Sequence, residues 1–364
     1  MGSGVDVPFA LTADPPRGGR LPGTRYQGSK ARLADWIVAQ VDGMPIRTVL
    51  DAFGGTGSVA YRFKQRGCAV TYNDLLAFNH QIGTALVEND SVRLSDDDVE
   101  HVLLRDPRFD YDNFIERTFG GIYFTDDENR FLDAACQNIA RLPCRFRRAL
   151  AWFALCQAAL AKRPYNLFHR RNLYMRLADV PRSFGNKATW ERPFEAHFRQ
   201  FTNQANAAVF TASTCRATYG AAGAIDPVDV SGAAYDLVYL DPPYVNARGV
   251  GVDYLGFYHF LEGMVDYADW PSRIDRSSPH LRIRPEPCAW LAAATAQPAF
   301  AELFARFKDS AILVSYRSDG AVNPDAIAAL LAAVKPTVRR VDRRAYQYAL
   351  STNRESAEVL LIGT

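Results

Sequence analysis

The apolar positions between residues 25 and 80 follow the periods of helices and strands in turn. In "KARLADWIVAQV" the apolar residues Leu33, Trp36, Ile37 and Val41 recur with the spacing of one helix face. The runs "IRTVLDAF" and "CAVTYND" predict two strands, and "SVAYRFKQRG" between them predicts a helix that ends at Gly67. A strand, a helix and a second strand in such a short stretch predict a parallel βαβ unit.

The period changes after residue 80 and changes back near residue 206. Residues 81–205 are mostly helical in pattern, as in "DENRFLDAACQNIARL" and "RFRRALAWFALCQAALAKR". Strands are predicted again at "AAVFTAS", "YDLVYLD" and "AILVSY", helices at "FYHFLEGMVDYADW" and "PAFAELFARFKDS", and a closing antiparallel hairpin at "AYQYALSTNRESAEVLLIG". We therefore predict one α/β domain formed by residues 24–80 and 206–364, a helical insertion at 81–205, and a flexible N-terminal arm at 1–23.

Composition adds mainly a segregation of charge. The formal net charge is only +2, but residues 95–133 carry twelve acids against four Lys or Arg, and residues 162–199 carry nine Lys or Arg against three acids. The six cysteines form no CxxC pair, and there is no metal-binding spacing of Cys and His. The start of the chain lacks the features of a secretory signal, and no run of 18 apolar residues occurs. We expect a cytoplasmic protein without a metal or a membrane span.

The stretch "VLDAFGGTGSVA" predicts a ligand site. Glycines between a strand and a helix let the backbone approach a ligand closely. The loose dinucleotide pattern starts at Gly55, and Asp74 follows about 20 residues later. However, Asp51 ends the preceding strand, where a carboxylate suits an ammonium group better than a pyrophosphate. S-adenosylmethionine, which has an amino-acid end and a ribose, therefore fits the pattern better than NAD does.

A second candidate site is "LVYLDPPY", at the end of a later strand. In an open α/β sheet, ligands bind at the carboxyl ends of the strands, so we expect Asp51, Asp74 and Asp241 to converge. Asp241 and the carbonyl of Pro242 offer two acceptors and no donor, which suits an exocyclic amino group such as N6 of adenine. The prolines make the acceptors rigid, Tyr244 offers a face for base stacking, and a duplex base must be flipped out to reach them.

These motifs together resemble a known family. "RYQGSKARL", "DAFGGTGSV", "YND" and "DPPY", in this order, resemble the D12 class, which comprises Dam-like adenine-N6 DNA methyltransferases of the alpha group. The resemblance spans about residues 24–364. It implies a Rossmann-like S-adenosylmethionine-dependent methyltransferase fold with a mixed seven-stranded sheet, in which residues 81–205 form a helical target-recognition insertion.

The resemblance also implies roles for individual residues. The cofactor-binding residues would be Tyr26, Lys30, Asp51, Phe53, Gly55, Gly57, Asp74 and Asp241, with Lys30 against the methionine carboxylate and Asp74 on the ribose. The catalytic residues would be Asp241, Pro242, Pro243 and Tyr244. The family has an acid for the cofactor's adenine on the strand before the catalytic one. Here Ser213 or Thr214 stands at the expected position, so a hydroxyl or the backbone is expected to take that role.

The basic half of the insertion is predicted to contact DNA. Arg and Lys contact phosphates, and Asn and Arg can bind base edges. We expect DNA contacts from Lys162, Arg163, Asn166, Arg170, Arg171 and Lys187. The partner would be double-stranded DNA, with a cognate restriction endonuclease as a further partner, and the protein would be a monomer or weak dimer. Cytosine-N4 methylation, a non-catalytic DNA-binding module and an NAD-dependent oxidoreductase are the alternatives.

Overall fold

The fold is built on one seven-stranded mixed sheet. The computed structural model describes residues 18–180, 187–343 and 356–364. The strands are β1 (Thr48–Asp51), β2 (Ala69–Asp74), β3 (Arg216–Tyr219), β4 (Leu237–Leu240), β5 (Ala311–Arg317), β6 (Val338–Arg343) and β7 (Glu358–Gly363). The helices are α1 (Ala34–Ala39), α2 (Ser58–Gln65), α3 (Ala77–Ile82), α4 (Asp96–Leu103), α5 (Phe114–Phe119), α6 (Asp126–Arg141), α7 (Arg145–Ala161), α8 (Leu173–Leu177), α9 (Lys187–Glu191), α10 (Phe194–Ala208), α11 (Tyr254–Val265), α12 (Trp270–Arg273), α13 (Ala293–Arg306) and α14 (Pro324–Ala332). A π-helical segment, Gly83–Glu88, follows α3.

The strand order places a topological switch point beside β1. The order across the sheet is β3-β2-β1-β4-β5-β7-β6. The first five strands of this row are parallel, whereas β7 runs antiparallel to both β5 and β6. The chain moves outward from β1 to β3 and then returns to β4 on the other side of β1, so the carboxyl ends of β1 and β4 flank the crevice where such sheets bind ligands.

The helical insertion shares its core with the rest of the protein. One hydrophobic cluster includes Leu155 of α7, Phe198 of α10, Phe78 of α3 and Tyr258 of α11, all nearly or fully buried. Helix α7 therefore packs against α3, which begins before the predicted insertion, and against α11, which follows it. The domain boundaries at residues 80 and 206 stay a prediction, and no break in the packing marks them.

One sequence prediction about a strand is wrong. Residues 207–213 are not a strand, because α10 continues to Ala208 and β3 begins at Arg216. At the end of the chain, β7 pairs with β6 in antiparallel register from Val338↔Gly363 to Arg343↔Glu358. The segment "AYQYAL" lies outside the described residues.

The N-terminal arm is described only from residue 18 onward. The carbonyl of Gly19 accepts hydrogen bonds from Tyr61 Oη and Gln65 Nε2, both at 3.0 Å. Leu21 packs against the large core cluster. The last residues of the predicted flexible arm thus contact the body of the protein, and residues 1–17 lie outside the described part of the chain.

Candidate active site

A cavity of about 690 Å³ opens at the carboxyl ends of the parallel strands. Its wall includes Asp51 at the end of β1, Asp74 at the end of β2 and Asp241 directly after β4, so the predicted convergence of the three acids is found. The wall carries nine Asp or Glu residues against two basic ones, Lys30 and Arg273. A cavity with this excess of carboxylates suits a cationic ligand and disfavours a pyrophosphate.

The glycine turn has the close backbone packing that its sequence predicts. Gly55 and Gly57 have φ values of +51° and +69°, in the left-handed region that favours glycine. A Cβ on Gly54 would lie 2.0 Å from the ring of Tyr72, so a larger residue cannot fit there. Gly55 lines the cavity, whereas Gly57 lies behind it at the start of α2.

Asp51 is a buried carboxylate with an unpaired oxygen. Its Oδ1 has no hydrogen-bond partner among the described residues. Burial, together with the nearby charge of Asp241, raises the pKa of Asp51 to about 8. An unpaired acceptor in the cavity wall fits an ammonium group, and this fit supports a ligand with an amino-acid end.

Asp74 is held rigidly by the backbone around it. Its Oδ2 accepts a hydrogen bond from Gly55 N and its Oδ1 from Leu76 N, both at 2.8 Å. Burial raises the pKa of Asp74, and these two backbone donors oppose the increase. Each carboxylate oxygen keeps a second lone pair for a ligand hydroxyl.

Tyr26 forms part of an aromatic wall that the sequence motifs did not indicate. Its ring stacks on Tyr258 at 4.6 Å and on Tyr254 at 5.4 Å between centroids. Phe53 lies on another side of the cavity and meets Trp290 edge to face at 5.3 Å. The first two turns of α11 thus carry two ring neighbours of Tyr26 that neither "RYQGSKARL" nor "DPPY" contains.

Asp241 is the centre of a buried ionic cluster. Lys30 Nζ lies 2.7 Å from Asp241 Oδ1, and Tyr244 Oη donates to the same oxygen at 2.9 Å. Lys30 Nζ also contacts Tyr244 Oη. Burial raises the pKa of Asp241 to about 6, and the Lys30 ammonium opposes this increase. Pro243 lines the cavity beside Asp241, and Pro242 is buried behind it. Lys30 here contacts the "DPPY" motif, and its role toward a cofactor carboxylate stays a prediction.

Two acids that the motifs did not reveal also lie at this site. Glu358, on β7, accepts a hydrogen bond from Tyr244 Oη at 2.9 Å and is completely buried. Glu262, on α11, accepts from Ala77 N at 2.9 Å and from Phe78 N at 3.1 Å. Burial raises the pKa of Glu262 to about 7. The sequence signal that could have indicated them is an acid within an otherwise apolar segment, as in "AEVLLIG" and "YHFLEGMV".

The expectation for Ser213 or Thr214 is wrong. Because β3 begins only at Arg216, both residues lie at the amino end of the strand, opposite the cavity. Ser213 Oγ donates to the carbonyl of Gly67, which precedes β2. The cavity wall after β3 is formed instead by residues such as Gly220 and Ala221. The hydroxyls of Ser213 and Thr214 are therefore excluded as partners for the adenine of the cofactor. The backbone remains the predicted partner.

Lys162 and Arg163, predicted to contact DNA, are buried. Lys162 is 2% exposed, and its Nζ donates to the carbonyl of Trp190 at 2.8 Å. The same Nζ lies 2.9 Å from Glu128 Oε1. Arg163 is 1% exposed and donates to the carbonyls of Leu167 and Arg170 at 3.1 and 3.2 Å. Because their charged groups face the interior of this structure, neither side chain can contact a DNA phosphate directly. The predicted DNA contacts of Lys162 and Arg163 are therefore withdrawn.

The remaining predicted DNA residues lie at the surface. Arg170, Arg171 and Lys187 are exposed and Asn166 is half-buried. Tyr165 and Asn166 have φ values of +62° and +56°, which is uncommon for residues other than glycine and marks a constrained loop. The Tyr165 side chain is 51% exposed. The loop is tied to α11 by the hydrogen bond from Phe168 N to Phe257 O at 2.9 Å.

Within the described residues, no cluster of His, Cys, Asp and Glu is arranged to hold a metal ion. Over the same residues, no helix is long and apolar enough to cross a bilayer.

Three features define the Rossmann-like methyltransferase class. They are the switch point of the mainly parallel sheet, the glycine turn, and the acids at the ends of three strands. Residues 26–259 match the model of the D12 class N6 adenine-specific DNA methyltransferases, and the chain belongs to this family. It is 32% identical over 248 residues to Type II methyltransferase M2.HphI of Haemophilus parahaemolyticus, an alignment that covers 67% of this chain and 71% of the relative. A solved structure, the rRNA methyltransferase aviRa from Streptomyces viridochromogenes, is aligned over 94% of this chain and 88% of that chain, with 14% identity and a TM-score of 0.30, and adds nothing to the assignment.

The family assignment decides between the alternatives. The chain is a DNA adenine-N6 methyltransferase, so cytosine-N4 methylation, a non-catalytic module and an oxidoreductase are set aside. Membership and fold imply the use of S-adenosylmethionine in general terms.

Proposed function

We propose that the cavity holds S-adenosylmethionine beside an adenine flipped out of double-stranded DNA, and that the "DPPY" motif directs methyl transfer to N6 of that base. The observation that carries this proposal is the convergence of Asp51, Asp74 and Asp241 on one cavity. Each acid keeps acceptor capacity toward the cavity, and the three follow different strands.

The cofactor residues are proposed from the fit of their free acceptors. Asp51 Oδ1 would accept from the ammonium group and Asp74 from the ribose hydroxyls. Tyr26, Phe53 and Gly55 line the same cavity and would contact the cofactor's apolar surface. When bound, the cofactor supplies a methyl group already activated by a sulfonium.

The base residues act on the amino group of the adenine. Asp241 Oδ1 is occupied by Lys30 and Tyr244, whereas Oδ2 accepts no hydrogen bond from the described residues. Oδ2 and the carbonyl of Pro242 are the proposed acceptors for the two N6 hydrogens. Accepting both hydrogens frees the nitrogen lone pair for attack, and Asp241 can take the proton that N6 releases. The face of Tyr244 is proposed to stack on the base, while its hydroxyl is held in the ionic cluster.

The DNA surface is proposed at the loop that precedes α8 and at the start of α9. Arg170, Arg171 and Lys187 would contact phosphates, and Asn166 would reach toward base edges. The exposed ring of Tyr165 adds a stacking face beside them. Because Phe168 ties this loop to α11, whose first turn lines the cavity, DNA held here would present a base near Asp241.

The relative's description as a type II methyltransferase suggests a biological setting. We propose that methylation by this chain protects DNA from a companion restriction endonuclease that recognises the same sequence.

An Asp241→Ala variant tests the proposed mechanism. It should bind S-adenosylmethionine by calorimetry with nearly wild-type affinity but transfer no methyl group to DNA, because the acceptor for N6 is gone. Asp269→Asn is the matched control, since Asp269 is an exposed acid in the same cavity wall and makes no side-chain cap at α12. Methyl transfer retained by Asp241→Ala would overturn the proposed role of the motif.

A further inference from the structure

Glu358 reaches the active site from the far end of the chain. It is the first residue of β7, where it pairs with Arg317 at the carboxyl end of β5. Because β7 runs antiparallel to β5, its first residue lies at the same sheet edge as Asp241 after β4. The Glu358 side chain is fully buried there, and a buried carboxylate requires partners that offset its desolvation.

Two partners of Glu358 also bind Asp241. Glu358 Oε1 accepts from Tyr244 Oη at 2.9 Å and lies 3.6 Å from Lys30 Nζ. It also accepts from Ser315 Oγ. Tyr244 and Lys30 in turn occupy Asp241 Oδ1. Two carboxylates thus share one ammonium and one phenol, and Tyr244 Oη, which has a single hydrogen, lies within donating distance of both.

We propose that Glu358 is a positioning residue for adenine methylation, which anchors Tyr244 and Lys30 so that they hold Asp241 by Oδ1 and leave Oδ2 to the substrate amino group. This inference rests on the proposed function. Without Glu358, Tyr244 and Lys30 lose a fixed acceptor, and the Asp241 carboxylate can rotate away from the geometry that attack requires. Displacement by about 1 Å at a reacting centre can cost about 100-fold in rate.

The anchor has an electrostatic consequence as well as a geometric one. The negative charge of Glu358 raises the pKa of Asp241. Its removal should therefore lower the pKa of Asp241, and the acid limb of the pH profile of the methylation step should move to lower pH. A residue with a merely structural role would reduce stability or activity without moving this limb.

The experiment compares Glu358→Gln and Glu358→Asp with wild type in single-turnover methylation across pH. Glu358→Gln should lower the rate by about 10- to 100-fold, change the Kd of S-adenosylmethionine by less than about threefold, and move the acid limb to lower pH. Glu358→Asp keeps the charge but shortens the side chain, so it should lower the rate and keep the limb at the wild-type pH. If Glu358→Gln does not fold, Glu358→Asp tests the proposal by itself. A wild-type methylation rate for Glu358→Asp would overturn the proposal.

Two further variants separate positioning from loss of stability. Asp133→Asn is the control, because Asp133 is also fully buried and accepts from Ile115 N at 2.7 Å, but it lies in the insertion. It should leave the single-turnover rate within about twofold. In a Tyr244→Phe background, Glu358→Gln should lower the rate by a smaller factor than in wild type, since part of its effect passes through Tyr244.

Three results for Glu358→Gln would overturn the positioning role: an unchanged methylation rate, an acid limb that stays at the wild-type pH, or full additivity with Tyr244→Phe. These results can be told apart from a failure of the proposed function itself. In that case wild-type protein would not methylate adenine, whatever residue stands at position 358.

Discussion

Replacing Asp51 by Asn should stabilise the protein in the absence of cofactor and remove most of its cofactor binding. Asp51 is 1% exposed, and its Oδ1 has no partner among the described residues. A carboxylate in this setting is unfavourable until a cation arrives. An amide of the same shape has no charge to bury, but it also has no charge to attract the ammonium group.

The magnitude follows from the raised pKa. Burial raises the pKa of Asp51 from 3.8 to about 8, and each unit corresponds to about 1.4 kcal/mol. The folded state binds this proton more tightly than the unfolded state, so stability falls as pH rises from about 4 to about 8. The ionised carboxylate thus costs on the order of 5 kcal/mol at pH 8. Burial of the unpaired amide hydrogens of Asn costs about 1–3 kcal/mol, which leaves a net gain in stability of about 2–4 kcal/mol.

The assay is thermal unfolding of wild type and Asp51→Asn between pH 5 and pH 8, with and without S-adenosylmethionine. The cofactor-free variant should unfold at a temperature a few degrees above wild type at pH 8, and this difference should shrink toward pH 5. Cofactor at 100 times its wild-type Kd should stabilise wild type by about 2.7 kcal/mol and the variant far less. A cofactor-free variant less stable than wild type at pH 8, or one with wild-type cofactor affinity, would refute the reasoning.

Other predictions concern the remaining parts of the site. Asp74→Ala should weaken S-adenosylmethionine binding at least about tenfold by calorimetry, or about 1.4 kcal/mol, and an unchanged Kd would remove its ribose role. The double variant Arg170→Ala with Arg171→Ala should weaken DNA binding and lower the slope of log affinity against log salt by about 2, since each phosphate contact contributes about 0.9. Arg163→Met should weaken DNA binding with an unchanged salt slope, because its guanidinium holds the loop from inside; a shallower slope would instead indicate a phosphate contact. The methylation rate should fall about tenfold per pH unit below about pH 6, where Asp241 takes up a proton; a flat rate down to pH 5 would contradict this.

Local sequence patterns are enough to predict most of the helices and strands. They also predict the convergence of the three acids. The strand-end positions of Asp51, Asp74 and Asp241 are visible in the sequence because buried strands are apolar and end abruptly on a charge. β3 was missed for the opposite reason. Its four residues, "RATY", are half-buried or exposed, and the apolar "AAVF" before it belongs to the end of α10, whose buried face includes Phe201 and Ala205.

The residues that could not be predicted depend on contacts between distant parts of the chain. Lys162 looked like a surface cation because its carboxylate partner, Glu128, lies 34 positions earlier and on another helix. Glu358 stands 114 positions after Tyr244. Pairing of this kind depends on sheet order and helix packing, which no local period of the sequence contains.

The central claim is that this cavity methylates N6 of adenine in a defined DNA sequence. The most direct test is to incubate unmethylated genomic DNA with S-adenosylmethionine and either wild-type protein or Asp241→Ala, and to map the modified bases by single-molecule sequencing. We expect N6-methyladenine within one sequence context after treatment with wild type and none after treatment with the variant. N4-methylcytosine, or modification that persists in Asp241→Ala, would contradict the account.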